Sequence, residues 1–256
     1  MSINHINQAV YTNVSVAASY VNTSLQAPEI AILIKYKDFY YGKKILDIGC
    51  GAGRTSFHFK KFTTDYTGVD YSKEMIHHCK KNYPELPFYV CDARDLSRFN
   101  DNNFDFIIFS YNGIDYITHE DRLTVLSEIK RVLKSGGVFV FSTHNRNYTK
   151  IITKPVFEIS LNPLRLLQNT ADFLSQKSNN NKLKSEQIEE HDYSILNDSG
   201  DGFSLLTYYI TREKQTEQLN NIGFKTLDIF NMDGEEVNSN TDDSNDCWLY
   251  FVAQKR

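Results

Sequence analysis

Three alternating glycines, Gly49, Gly51 and Gly53, follow the apolar run Ile45-Leu46-Asp47-Ile48 and lead into a helix-like stretch. A glycine-rich turn between a strand and a helix strips side chains away, so a nucleotide-like ligand can lie against the backbone. The dinucleotide fingerprint GxGxxG would place its last glycine at position 54, where this chain has Arg54. Two carboxylates accompany the turn. Asp47 sits inside the end of the preceding strand, and Asp70, in Gly68-Val69-Asp70-Tyr71-Ser72, ends the next one. At that second position a carboxylate can accept both hydroxyls of a ribose, each charge-assisted bond contributing about 1.5–3 kcal/mol. Taken alone, Asp70 also fits a nicotinamide-dinucleotide site, or a plain turn residue before Ser72.

The elements that must position these groups follow a βαβ rhythm over residues 43–143. Strands are expected at 45–48, 66–70, 88–91, 104–109 and 138–141. A helix is expected over 53–62. A second runs over 73–82, with Ser72 as N-cap and Glu74 at its positive end, and is stopped by Pro84 and Pro87. Thr118 and Asp121 open a third, with Leu123, Leu126, Ile129, Val132 and Leu133 at helical spacing; Ser135-Gly136-Gly137 is read as its close. The rhythm lapses over 145–201. There Asn162-Pro163 starts a helix carrying Leu164, Leu167, Ala171 and Leu174, and the polar stretch 178–190 reads as a surface excursion. A strand from Phe203 through Ile210, a helix capped by Thr211 and ending at Gly223, and an antiparallel hairpin of strands 224–230 and 247–253 complete the chain.

The stretch Ile45 to Gly53 resembles motif I of class I S-adenosylmethionine-dependent methyltransferases. Four more stretches match that family in order: the Asp70 segment, Cys91-Asp92-Ala93-Arg94-Asp95-Leu96, Phe109-Ser110-Tyr111-Asn112-Gly113-Ile114-Asp115-Tyr116, and Arg131-Val132-Leu133-Lys134-Ser135-Gly136-Gly137-Val138-Phe139. The resemblance implies an α/β fold: a seven-stranded, mostly parallel Rossmann-like sheet with helices on both faces, the last strand antiparallel, and a helical lid. It implies one domain over 1–256, divided into an N-terminal helical lid (1–42), a cofactor-binding core (43–143), an insertion over the acceptor (144–204) and C-terminal strands with a helix (205–256). S-adenosylmethionine is then the cofactor and S-adenosylhomocysteine the product. By position, Asp47 takes the methionine amine, directly or through water, Asp70 the ribose, Asp92 the adenine amino group and Ala93 a ring nitrogen through its backbone. Gly49, Cys50, Gly51, Gly53 and Arg54 form the turn, with Tyr71 and Met75 beside the second carboxylate. Ser110, Tyr111 and Asn112 lie where the sulfur and the acceptor meet. Tyr20 or Tyr11 of the N-terminal segment, whose Val14, Ala17, Ala18 and Val21 recur at helical spacing, either covers the cofactor or packs the segment down.

The transfer is an in-line displacement, so positioning supplies much of the rate and no catalytic constellation is obligatory. A hydroxyl acceptor needs a base, and His144, after the fifth strand, is the candidate; otherwise it is a loop histidine at the rim. Asp115 and Asn112 share that region, although Asn112-Gly113 also suits a turn. His119 falls in a helix first turn and is set aside. The stripe of Leu164, Leu167 and Leu174 either roofs the acceptor or meets a second copy, and Tyr193, Tyr208 and Tyr209 add aromatic walls. No metal is expected: His77-His78-Cys79 are consecutive, and neighbours on a helix diverge by about 100°.

Composition narrows the partners. A net charge of −4 argues against nucleic acid as a partner, and no run of apolar residues suits a membrane helix. The start carries no secretion signal, and four scattered cysteines suit a reduced, cytoplasmic protein. The expected partner is a small-molecule acceptor, with the chain a monomer or homodimer. Some of the 16 tyrosines and 17 phenylalanines beyond what a core needs could line a ligand pocket. Two rivals share the strand–glycine–helix start: an NAD(P)-dependent oxidoreductase, opposed by Arg54 and Asp47, and a cofactor-binding relative that transfers nothing. Methylation of a protein or RNA is a third, lowered by the acidic balance.

Overall fold

The first two core strands, β1 (Ile45–Ile48) and β2 (Tyr66–Asp70), are buried along their whole length, the signature of parallel strands covered on both faces. A computed structural model describes residues 3–11 and 24–256. Among the described residues, three helices precede β1: α1 (Ile3–Tyr11), α2 (Ala27–Lys35) and α3 (Lys37–Tyr40). The turn α4 (Ser56–Phe59) joins β1 to β2, and α5 (Lys73–Asn82) leads to β3 (Phe88–Val90) and β4 (Phe104–Phe109). Next come α6 (His119–Val132), β5 (Leu133–Asn145), α7 (Pro163–Leu183), β6 (Ile188–Glu189), β7 (Tyr193–Leu196), β8 (Thr207–Ile210), α8 (Arg212–Ile222), β9 (Phe224–Phe230) and β10 (Trp248–Lys255).

Seven strands form the core sheet in the order β3-β2-β1-β4-β5-β10-β9. The first five run parallel, and β10 inserts antiparallel between β5 and β9, as expected. Ile45 belongs to the apolar layer on one face, and Leu46 and Ile48 to the layer on the other. Both layers are rich in aromatic rings: Tyr40, Phe59 and Phe106 on one side, Phe139, Phe141, Phe224 and Phe251 on the other. Much of the aromatic surplus is therefore core. The N-caps read from Ser72, Thr118, Asn162 and Thr211 each accept a backbone N–H of the helix they open.

The structure departs from the sequence reading in four places. The helix expected over 53–62 shrinks to the turn α4, because Gly53 adopts a left-handed φ of +93° that an α-helix cannot continue through. Helix α6 ends at Val132 and β5 begins at once, so Gly136 and Gly137 lie inside a strand. There the ladder to β4 shifts register, and a Cβ on Gly137 would stand 2.9 Å from the Asp105 carbonyl oxygen. The stretch 178–190 is ordered: α7 continues to Leu183, held by Asn180 donating to the Thr153 carbonyl and Asn197 Oδ1, and β6 follows.

The fourth difference shapes the site. Strand β5 outruns β4: Phe109 pairs with Phe141, but β5 continues to Asn145. Its exposed edge is taken by β8, which pairs in parallel at His144 and Asn145 and carries β7 and β6 antiparallel beyond it. Three short strands thus extend the seven-stranded sheet, and the strand expected over 203–210 begins only at Thr207. No helix among the described residues is long and apolar enough to cross a membrane.

Candidate active site

Where the chain after β4 diverges from β5, a cavity of about 640 Å³ opens beyond the carboxyl ends of β1, β2 and β4. The glycine turn forms its floor. All three glycines have left-handed φ, +61°, +54° and +93° in order, so no other residue adopts this path without strain. Their roles differ. A Cβ on Gly49 would meet Phe109 at 2.8 Å and one on Gly53 would meet Tyr83 at 2.6 Å, whereas one on Gly51 would meet nothing within 4 Å. Gly51 therefore holds open space at the cavity wall, while Gly53 serves packing and does not line the cavity.

Asp47 lies under this turn, only 1 % exposed. Its Oδ2 accepts the Tyr66 hydroxyl at 2.7 Å and the Thr55 hydroxyl. Burial pushes its pKa up to about 6, against the pull of those two bonds. Asp70 is also buried, and burial raises it, opposed by backbone bonds from Ser72 N–H at 2.8 Å and Gly51 N–H at 3.0 Å. Each of its oxygens accepts one of them and keeps room for a second donor facing the cavity. Cys50, Tyr71, Met75 and Ala93 also line the wall.

Asp92 lines the cavity but turns its carboxylate onto Arg94, which grips it through Nε and Nη2, the latter at 2.6 Å. Burial lifts its pKa, the Arg94 hydrogen bonds outweigh that, and the group stays below the usual carboxylate range. Arg94 Nη1 reaches Asp121 at 3.0 Å, and Asn4 of α1 donates to the same carboxylate. Asn7, one helical turn on, donates to the Leu206 and Tyr116 carbonyls, so α1 closes one side of the cavity, with Gln8 and Val10 on the wall. Tyr20 and residues 14–21 lie outside the described residues, as does the side chain of Tyr11.

Arg54 makes a two-pronged ion pair with Glu29, at 2.6 and 2.7 Å, and donates to Ser110 Oγ at 3.0 Å. Ser110 donates to the same Glu29, and its hydroxyl lies 3.3 Å from that of Tyr250. The buried Glu29 thus ties α2 to the glycine turn and to the end of β4. Sequence reading missed Glu29, whose position at N3 of α2 signals only a helix cap. Beyond Ser110, Tyr111 and Asn112 both hold left-handed φ, +64° and +57°. Such conformations cost of order 1–3 kcal/mol each in non-glycine residues and concentrate at functional sites. They are held by the Arg54 guanidinium 5.0 Å from the Tyr111 ring, by Trp248 against that ring, and by Asn112 N–H donating to Ser142 Oγ at 2.8 Å.

His144 does not emerge at the rim; it is a buried residue of β5 behind the cavity wall, ringed by Tyr116, Tyr209 and Trp248. Asp115 Oδ2 accepts both His144 N–H and Nδ1–H, each at 2.7 Å. Asp115 Oδ1 accepts Arg122 Nη1 at 2.6 Å and Thr143 Oγ1 at 2.7 Å. Arg122, wholly buried, also donates to Gln215 Oε1 at 2.7 Å and to the Ile114 carbonyl. The bond to Asp115 fixes the proton of a neutral His144 on Nδ1 and leaves the Nε2 lone pair toward Asn112 Nδ2, 3.5 Å away. Asn112 and His144 thus stand just behind the wall, and Gly113, Tyr116 and Trp248 stand on it. Of the aromatic walls expected, Tyr193, Tyr208 and Tyr209 contribute none to the cavity: Tyr193 and Tyr208 stack on each other and on His119. Leu164, Leu167 and Leu174 do not line it either. Among the described residues no group of three or more His, Cys, Asp or Glu side chains is arranged to hold a metal.

Comparison with known proteins agrees with this architecture. A methyltransferase domain family matches residues 45–137. The phthiotriol/phenolphthiotriol dimycocerosates methyltransferase of Mycobacterium tuberculosis is 29 % identical over 169 residues, covering 63 % of this chain and 60 % of that protein. The fatty-acid O-methyltransferase of Mycolicibacterium smegmatis is 33 % identical over 111 residues, covering 42 % of this chain and 39 % of the relative. The chain thus spans less than two thirds of the length of either. In fold it matches the 1,6-didemethyltoxoflavin-N1-methyltransferase of Burkholderia thailandensis, solved with its acceptor and S-adenosylhomocysteine, at a TM-score of 0.56 and 15 % identity over 90 % of this chain and 78 % of the other. The strand order is that of the methyltransferase fold, and residues 45–137, which carry the glycine turn, are similar in sequence to a methyltransferase domain.

Proposed function

We propose that this chain moves the methyl group of S-adenosylmethionine to a hydroxyl of a small, largely apolar acceptor. The observation that carries the cofactor half is the open wall at Gly51 between two buried carboxylates, Asp47 and Asp70. That donor set fits the cofactor: a carboxylate for its amine, a carboxylate for its ribose hydroxyls, and bare backbone between them. S-adenosylmethionine supplies, when bound, a methyl group made electrophilic by its sulfonium. In this reading Asp47 and Asp70 hold the cofactor, with Gly49, Cys50, Arg54, Tyr71, Met75 and Ala93 shaping its bed. Asp92 would receive the adenine side only through the pair it forms with Arg94.

The hydroxyl preference rests on the Asp115–His144 pair. A hydroxyl must lose its proton as it attacks; His144, its Nδ1 side held by a buried carboxylate, has Nε2 turned to Asn112 behind the wall and would serve as the base only when the Asn112 side chain swings aside. Asp115 acts through His144 and is a positioning residue. An apolar acceptor suits the wall of Val10, Tyr116, Ile117, Leu205 and Trp248. The name of the Mycolicibacterium relative describes O-methylation of a fatty acid, an apolar acceptor methylated at oxygen.

The test combines calorimetry with turnover. S-adenosylhomocysteine should bind, and radiolabelled methyl should pass to members of a panel of hydroxylated lipids and phenols. His144→Gln should slow turnover by about 100-fold or more and should leave S-adenosylhomocysteine affinity unchanged. Absence of binding would end the cofactor reading. Full activity in the histidine variant, or transfer only to amines, would end the hydroxyl reading.

A further inference from the structure

Helix α7 and the segment before it carry their apolar side chains outward. No residue of the helix is buried, and Leu164, Leu167 and Leu174 are 80, 69 and 60 % exposed. With Ala171 they form one stripe at helical spacing. The anchored face is the opposite one: Phe173 packs edge-on against Phe157 at 5.5 Å, Gln176 lies beside Gly202, and Asn180 makes its two bonds to the body. An amphipathic helix covering its own core shows the reverse arrangement. The preceding segment repeats the pattern, with Ile152, Val156, Ile159 and Leu161 all at least half exposed.

Charge separates this face from the rest of the molecule. Residues 150–184 hold six basic side chains, Lys150, Lys154, Arg165, Lys177, Lys182 and Lys184, against two acidic ones, Glu158 and Asp172, in a chain of net charge −4. We infer that α7 and the segment leading to it dock on an anionic lipid surface, the leucine stripe entering the acyl boundary and the basic side chains meeting the headgroups. A symmetric contact with a second copy would instead set the same cationic stretch against itself, which like-charge repulsion disfavours. The place of the helix gives the docking a use. Asn179 bonds to the Gly202 carbonyl, and the neighbouring Gly200, Asp201 and Leu205 line the cavity, so the lipid surface would lie beside its mouth. An apolar acceptor could then pass from bilayer to site without crossing water. The docking itself does not depend on what the cavity binds.

Sedimentation of the full chain with vesicles tests this. Phosphatidylcholine vesicles containing phosphatidylglycerol should bind the protein at least about tenfold more tightly than phosphatidylcholine alone, and salt should reverse the gain. Replacing Leu164, Leu167 and Leu174 together by Gln should abolish binding while leaving circular dichroism and S-adenosylhomocysteine affinity unchanged. A second variant, Lys177→Gln with Lys182→Gln and Lys184→Gln, should remove only the preference for anionic vesicles. Failure to sediment with either vesicle would overturn the inference. So would a dimer in analytical ultracentrifugation that the leucine variant dissociates, in a protein that ignores vesicles.

Discussion

If Asp47 receives the cofactor's amine, as proposed, cofactor binding is a proton-linked event. Its carboxyl is almost wholly buried, and its pKa stands near 6 against an ordinary value of 3.8. Holding the charge at neutral pH before any ligand binds therefore costs of order 3 kcal/mol. The sign follows from the raised native value: the folded chain binds this proton more tightly than the unfolded chain. Its contribution to stability is therefore full below pH 3.8 and is lost as pH climbs through 6. A bound ammonium beside Asp47 favours the charged form and draws the pKa back toward its ordinary range. Between those two values binding must expel the proton, so S-adenosylhomocysteine affinity should fall by about tenfold per pH unit below 6. Calorimetry at pH 5.5 in two buffers of different ionisation heat counts the released proton. Asp47→Asn should abolish the release, weaken neutral-pH affinity by about tenfold or more, and stabilise the empty protein at pH 7 by up to about 3 kcal/mol. Asp70, also raised by burial, is separated by repeating the titration in Asp70→Asn. An affinity that is flat from pH 7 to 5, with no proton released, would refute the placing of the amine at Asp47.

Three further predictions concern the same site. Asp70→Ala should lower S-adenosylhomocysteine affinity by about tenfold or more and cost about 1–3 kcal/mol in urea unfolding, since the buried Ser72 N–H loses its acceptor; unchanged affinity would remove Asp70 from the ribose. Asp115→Asn should destabilise by about 3–5 kcal/mol in urea, because it leaves the Arg122 guanidinium buried without its counter-charge; Asp115→Asn combined with Arg122→Met should recover much of that loss, and additive losses would show the two do not act as a pair. Gly53→Ala should cost stability, since its Cβ would drive into Tyr83, whereas Gly51→Ala should cost only about 1–2 kcal/mol of backbone strain yet weaken S-adenosylhomocysteine binding; equal effects of the two on thermal unfolding would deny the division of roles.

The geometry around the glycine turn was legible in the sequence because its signals are local. A left-handed turn demands glycine, a carboxylate at a strand end demands Asp or Glu, and both sit within a few residues of the strand that carries them. Asp47, Gly51 and Asp70 were read in this way, and the structure brings them to one cavity. Glu29 was not, because its partner Arg54 is distant along the chain and a glutamate at N3 of a helix already has a local explanation. Gly53 was over-read for the same reason in reverse: the motif spacing says nothing about which glycine faces the ligand and which faces Tyr83.

The acceptor half follows from one event that no local pattern announces, the overrun of β5 past β4. Had β5 stopped at Phe141 with its partner, His144 would stand in a loop, as expected from its position after the fifth strand. Instead the ladder to β10 continues through Thr143 and His144, opposite Leu249 and Trp248, and β8 seals the other edge at Tyr209. Strand pairing on both sides buries the imidazole, and burial in turn requires partners. Asp115, Arg122, Thr143 and Gln215 arrive from the loop after β4, from α6, β5 and α8, and satisfy one another as a closed set. Together they hold a histidine rigidly behind Trp248 and Tyr116. A network this buried resists repacking, so in the proposed reading acceptor choice is left to the side chains that line the cavity from α1 and from the 200–205 loop.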